Sequence, residues 1–139
     1  MFSLHANILQ MNKVIIELEL GARPSATEIE VVEVLIAHGA AKESIKFLKP
    51  NRTKGAKTPD ILMDGAPWEI KSPKSNGSRT MEHAVRSASS QAGNIIIDLR
   101  QSQLNTNRAI SQIKFHSLKR TTIKRLIVVT KGETLLDIK

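Results

Sequence analysis

Asp60, Glu69 and Lys71 are the residues whose types and spacing could do chemistry. They lie in Thr58-Pro59-Asp60-Ile61-Leu62-Met63-Asp64-Gly65-Ala66-Pro67-Trp68-Glu69-Ile70-Lys71, two short apolar runs joined by a turn. Side chains two residues apart on an extended chain share a face, so Glu69 and Lys71 project together and Ile70 points to the core. Asp64-Gly65 supplies the positive φ of a tight hairpin turn. If the flanking runs pair, Asp60 falls opposite or diagonal to Glu69 and Lys71. Crowded carboxylates stay ionised together when a cation lies between them, and an oxygen-only donor set suits Mg²⁺ or Mn²⁺, with Zn²⁺ as a further candidate. The lysine can then stabilise negative charge developing on a phosphoryl group or orient an attacking water. Acid-x-Lys is also a common solvated charge pair on strands, so the rest of the chain must discriminate.

The elements that must position these groups follow from periodicity. Residues 1–12 read as a short helix or a loose arm, and 13–20 as a possible first strand ended by Gly21 and Pro24. A helix starts at Ser25-Ala26-Thr27-Glu28, with Ser25 or Thr27 as cap, and Gly39 closes it. On it Glu28, Val31, Val32, Leu35 and Ile36 share a face, which places an acid at the end of the apolar stripe, with Glu30 and Glu33 on its solvated flanks. A short strand at 45–48 and a basic loop lead to the Asp60 and Glu69 strands. A helix over 79–92, a continuous apolar run at 94–99, a basic helix at 106–118 and a hairpin around Lys131-Gly132 complete the chain. The expected class is α/β, a sandwich with a mixed central sheet flanked by helices. Residues 1–24 form an N-terminal arm and possible strand, and 25–139 a single domain.

Composition narrows the partner. The 139 residues carry a net charge of +8 with 21 Lys and Arg against 13 Asp and Glu, which fits a polyanion better than a small metabolite. Residues 99–132 hold no acid, while Arg100, Arg108, Lys114, Lys119, Arg120, Lys124, Arg125 and Lys131 fall there. A second basic group, Lys46, Lys49, Arg52, Lys54 and Lys57, leads into Asp60. Ser78, Arg79, Thr80 and Arg86, with Gln91, could hold a phosphate at a helix start, against ordinary capping and solvated charge. The nucleic-acid contacts expected are Lys57, Arg79, Thr80, Arg86, Arg108, Lys114, Lys119 and Arg120. Aromatics are few, Phe2, Phe47, Phe115 and Trp68, which argues for recognition through backbone and shape rather than a stacking platform. Trp68 alternates away from the acids and reads as a core or hairpin anchor. Asp64 reads as a turn residue and Asp98 as a strand-end one.

No cysteine is present, so disulfides and thiolate metal sites are excluded. The four histidines, His5, His38, His83 and His116, lack metal-ligand spacing; His83 and His116 are the RNA-side candidates. Nothing approaches a membrane-spanning run, and the basic-then-apolar layout of a signal peptide is missing at the N-terminus. Membrane partnership is not expected.

A helix with an early Glu, three strands carrying Pro-Asp and Glu-x-Lys, then helix and strand, resembles the PD-(D/E)xK, or restriction-endonuclease-like, nuclease superfamily over residues 27–100. That resemblance implies that Glu28, Asp60 and Glu69 ligate metal and that Lys71 assists catalysis. More narrowly, the string from Lys57 to Pro73, then Arg79-Thr80, Gln91, Asn94-Ile95-Ile96-Ile97-Asp98-Leu99-Arg100 and the 123–131 segment, is similar to C-terminal tRNase domains of bacterial contact-dependent growth inhibition toxins. This likeness implies a metal-dependent endonuclease that hydrolyses phosphodiester bonds in RNA, tRNA favoured over DNA. It further implies a cytoplasmic site of action in a target bacterium, delivery by a separate export system and a cognate immunity protein. A DNA endonuclease of the same fold and a catalytically silent basic nucleic-acid-binding module are the alternatives.

Overall fold

A computed structural model describes residues 8–139, which form eight strands and three helices. The chain divides into two compact units, Met1–Trp68 and Glu69–Lys139.

The first unit begins with a hairpin, β1 (Ile8–Met11) against β2 (Val14–Leu18), antiparallel with Met11 opposite Val14. Its turn places Asn12 and Lys13 at φ 49° and 68°, a conformation that asparagine tolerates through its short polar side chain. Residues 8–11 are thus a strand, where a helix or loose arm was expected. Ile8-Leu9-Gln10-Met11, with one polar residue among four, is too short to reveal a period of two. The remainder of that expectation, and His5, lie outside the described residues.

Helix α1 (Ala26–Ala37) follows, and it starts where a reciprocal pair of bonds can close its first turn. The Ser25 hydroxyl accepts the Glu28 amide at 3.1 Å, and the Glu28 carboxylate accepts the Ser25 amide at 2.8 Å. Ser25 to Glu28 is the Ser-x-x-Glu capping box. At the other end Gly39 takes φ +77°, the left-handed exit that glycine makes without steric cost. Val31, Val32, Val34, Leu35 and Ile36 are buried. β3 (Ser44–Phe47) runs parallel to β2, a pairing that a strand–helix–strand crossover permits, and β4 (Ile61–Met63) lies antiparallel to β3. β5 (Ala66–Lys71) pairs antiparallel with β4 through Ala66, Pro67 and Trp68. Trp68 and Phe47 are buried in full, as expected of a hairpin anchor.

The second unit continues β5 from Glu69 and adds α2 (Thr80–Ser89), β6 (Asn94–Asp98), α3 (Thr106–Leu118), β7 (Arg125–Val129) and β8 (Leu135–Asp137). β6 and β7 are parallel and β7 and β8 antiparallel. Ile95, Ile97, Leu126 and Val128 from the strands meet Met81, Val85, Ala88, Ala109 and Ile113 from the helices in one apolar cluster. Ile96, Ile127 and Val129 are buried as well, so the continuous apolar run behaves as a strand covered on both faces. The α3 boundaries coincide with the basic helix read from the sequence, and its C-terminal end is met by the Lys139 ammonium, 3.1 Å from Ser117 O in the last turn and from Arg120 O just past it. A cation at a helix C-terminus complements the dipole there.

Mixed parallel and antiparallel pairing occurs in both units, in agreement with the expected α/β class. No helix among the described residues is long and apolar enough to cross a membrane.

Candidate active site

The hairpin that carries Asp60 and Glu69 is built by its turn. Asp64 and Gly65 adopt φ 50° and 85°, positive at both central positions as a type I′ turn demands. Met63 therefore faces Ala66, Leu62 faces Pro67 and Ile61 faces Trp68. The turn is also tied down from outside. The Asp64 carboxylate accepts the amides of Lys42 at 3.0 Å, Glu43 at 2.7 Å and Ser44 at 2.9 Å. Burial works to raise this carboxyl, but the amides of Lys42, Ser44 and Glu43, with the Lys42 charge, outweigh it and hold it below the usual carboxylate range. Asp64 is thus a turn residue, and beyond that a pin between the β4–β5 turn and the entry to β3.

In the first unit Asp60 immediately precedes β4, and its amide donates to the Trp68 carbonyl at 3.0 Å. Glu28 and Asp60 line a single cleft of about 80 Å³ together with Arg23, Pro24, Phe47, Leu48 and Pro50. Two acids separated by 32 positions in the sequence are brought to one cavity by the α1 N-terminus and the start of β4. Glu28 is half-buried and one of its oxygens serves the capping box. Its placement at the helix start is therefore secured by local bonds before any ligand arrives.

In the second unit the strand alternation holds as expected. Glu69 is 5% exposed, Ile70 is buried, and the Lys71 ammonium lies 3.3 Å from the Glu69 carboxylate with about a third of its side chain, 32%, open to solvent. The chain leaving Lys71 is then clamped. The Ser72 hydroxyl donates to Asp98 at 3.1 Å, and Asp98, fully buried at the end of β6, also accepts the Arg100 backbone amide at 3.0 Å. The Arg100 guanidinium grips both of its oxygens, at 2.9 and 3.0 Å. Such a forked pair fixes orientation as well as charge. Asp98 matches its strand-end reading, whereas the roles of Ser72 and Arg100 were missed. A signal existed: Asp98-x-Arg100 repeats the acid-x-base spacing of Glu69-x-Lys71.

The donor set available to a cation is oxygen-only, which is the chemistry that hard divalent ions take. Glu28 and Asp60 in one cleft supply two carboxylates of that kind. Among the described residues no three Asp, Glu or His side chains are clustered as metal ligands.

The basic residues are mostly available. Lys57, Arg86, Arg108, Lys114 and Lys119 are exposed, and Thr80 and Arg120 are half-buried. Arg79 is exposed but its guanidinium bonds to Glu82 at 2.8 Å, and that bond, opposed by desolvation and aided by the charges of Arg79, His116 and Arg86, lowers the Glu82 carboxyl. Ser75, Gly77, Ser78, Arg79, Thr80 and His83 line an open depression at the start of α2, about 400 Å³ in volume. Thr80 bonds to Ser75 at 2.7 Å.

Residues 57–135 match the family described as the contact-dependent growth inhibition CdiA C-terminal domain. That span is more than half of the chain. The protein belongs to the CdiA C-terminal domain family.

One solved structure, a CdiA-CT/CdiI toxin and immunity complex from Burkholderia pseudomallei, is similar to this chain at a TM-score of 0.53 and 20% identity, covering 89% of this chain and 98% of that one. At that identity the likeness concerns the fold. No curated protein is significantly similar in sequence. As a CdiA C-terminal domain, the protein is the toxic effector part of a contact-dependent growth inhibition system. The matched span contains Asp60, Glu69, Lys71, Ser72, Asp98 and Arg100 and leaves Glu28 outside it.

Proposed function

We propose that this CdiA C-terminal domain is a metal-dependent endonuclease of the PD-(D/E)xK type that hydrolyses phosphodiester bonds in RNA, with tRNA as the favoured substrate. The observation that carries this reading is the Glu69–Lys71 pair, an acid and a base on one strand face at 3.3 Å; in the first unit Asp60 shares a cleft with Glu28. Glu28 and Asp60, which share a cleft, are residues that would hold a divalent ion, Mg²⁺ or Mn²⁺ before Zn²⁺, and the resemblance to PD-(D/E)xK nucleases implies Glu69 as a further ligand. When bound, such an ion would polarise the phosphoryl group.

The chain's own groups have separate tasks. Asp60 is presented just before β4, whose register with Ala66–Trp68 the Asp64-Gly65 turn sets, and Glu69 by the continuation of β5. Lys71, a compact charge on a flexible stem, reaches from a buried carboxylate to solvent and so can meet the oxygens on which negative charge grows. The cationic stretch from Arg108 to Arg120 holds the polyanion by its phosphates. By likeness to the Burkholderia complex, a cognate immunity protein neutralises the domain, and delivery by the contact-dependent system brings it to the cytoplasm of the target cell.

The test is cleavage of total tRNA, plasmid DNA and single-stranded DNA by purified protein with Mg²⁺, Mn²⁺ or Zn²⁺. Glu69→Gln and Lys71→Ala should each lower tRNA cleavage by about 100- to 1,000-fold, with folding and RNA binding largely intact. Undiminished cleavage in both variants, or in excess EDTA, would refute the assignment. Salt-sensitive RNA binding with no cleavage under any ion would leave a silent binding module.

A further inference from the structure

Helix α3 exposes an aromatic ring on the most one-sidedly cationic part of the chain. Phe115 is 56% and Leu118 74% exposed, whereas the other described aromatics, Phe47 and Trp68, are buried. Residues at i, i+3 and i+4 share a helix face, so Phe115, Leu118 and Lys119 form one patch, with Arg108 two turns earlier on the same side. The Lys119 ammonium lies 3.9 Å from the Phe115 ring centroid, and the His116 ring meets Phe115 edge-on at 5.1 Å.

We infer that Phe115 is a stacking site for an unpaired nucleobase, with Lys119 as the group that takes the adjoining phosphate. The inference rests on the nucleic-acid reading above and deepens it, by naming single-stranded segments as the feature engaged. Lys119 caps the exposed ring in the free protein through a cation–π contact. A base has a π-face of its own and can take that place, which frees the ammonium to pair with phosphate. Charge complementarity selects the occupant: residues 99–132 contain no acid, so the helix itself is wholly cationic toward a polyanion. Glu82 of α2 interacts electrostatically with His116 but is already paired with Arg79. An acidic protein is the other conceivable occupant. It fits less well, because two apolar side chains make a small centre for a stable interface and lysine is depleted from such centres.

The experiment measures binding of a short single-stranded RNA carrying 2-aminopurine to the full chain in EDTA, with a blunt RNA duplex of the same length as control. Wild-type protein should bind the single strand more tightly than the duplex and change the 2-aminopurine fluorescence. Phe115→Ala should weaken single-strand binding about tenfold or more and abolish the fluorescence change, while Phe115→Trp retains both. Lys119→Gln should reduce the salt slope by about 0.7 and keep the fluorescence change. Thermal unfolding of Phe115→Ala near the wild-type midpoint excludes misfolding as the cause. Equal affinity of Phe115→Ala and wild type, or equal affinity for duplex and single strand, overturns the inference and hands the patch to a protein partner. Absence of any RNA binding by wild type removes this inference and the RNase reading together. Stacking without cleavage upholds this inference and removes only the nuclease.

Discussion

The second unit carries an acid-x-base pattern at Glu69-x-Lys71 and again at Asp98-x-Arg100, and these two are put to opposite uses. Asp98-x-Arg100 is closed: the carboxylate is fully buried, receives a guanidinium fork, a backbone amide and the Ser72 hydroxyl, and the arginine side chain is only 11% exposed. Glu69-x-Lys71 is open by comparison, since its lysine is a single rotatable charge at 3.3 Å with a third of its surface in solvent. Arginine's planar fork locks a carboxylate in place, whereas an ammonium can leave one partner for another. The buried Arg thus makes its acid-x-base pair a clamp, whereas the partly exposed Lys leaves the other pair able to exchange partners. Ser72 links the two, because it follows Lys71 and donates to Asp98.

This contrast can be broken by removing each base. Arg100→Ala leaves a buried carboxylate without its cation and should cost about 3–5 kcal/mol, measured by urea denaturation; a loss under about 1 kcal/mol would deny the clamp. Lys71→Ala also strips a buried carboxylate of its cation, but that base is about a third open to solvent, so the change should cost less than Arg100→Ala, about 1–3 kcal/mol, and carry the loss of cleavage described above. If both variants proved equally destabilised, the division of labour would collapse.

Asp64 sharpens the comparison as a third carboxylate, held by amides rather than by a cation. Asp64→Asn should lower stability by about 1–2 kcal/mol, discounted for its exposure. Its folded-state carboxyl is lowered from the reference 3.8. The stability it adds is thus fully present above that value and disappears as pH falls through the folded one. Stability measured from neutral pH down to strong acid should fall in wild type by more than in Asp64→Asn. Parallel curves would contradict this.

Glu28 offers the smallest and most discriminating change. A capping box accepts glutamine in place of glutamate, so Glu28→Gln should shift stability by only a few tenths of a kcal/mol while removing the negative charge from the cleft it shares with Asp60. Ser25→Ala should do the reverse, losing about 1 kcal/mol of helix stability with cleavage retained. Full cleavage by Glu28→Gln would confine this residue to the cap.

Much of the candidate site was legible in sequence because its logic is local. Asp64-Gly65 dictates the turn, the turn dictates register, and alternation puts Glu69 and Lys71 on one face with Ile70 and Trp68 on the other. The limits of α3 and the hairpin after Gly132 were legible for the same reason. Less was legible where one residue type serves two ends: Ser25 to Glu28 reads equally as a capping box and as the helix acid of a nuclease, and the structure shows the cap bonds beside a cleft. The β1 strand escaped because four residues, three of them apolar, are too few to carry a period.

What the sequence by itself determined is direction, the face on which each charged side chain leaves its strand or helix, since φ/ψ preferences and periodicity act over a few residues. Only the tertiary structure decided company. Ser72 meets Asp98 across 26 positions, Asp64 reaches Lys42 across 22, and Phe115 stays uncovered while Phe47 is buried, because such pairings depend on how whole elements pack and no short spacing encodes them.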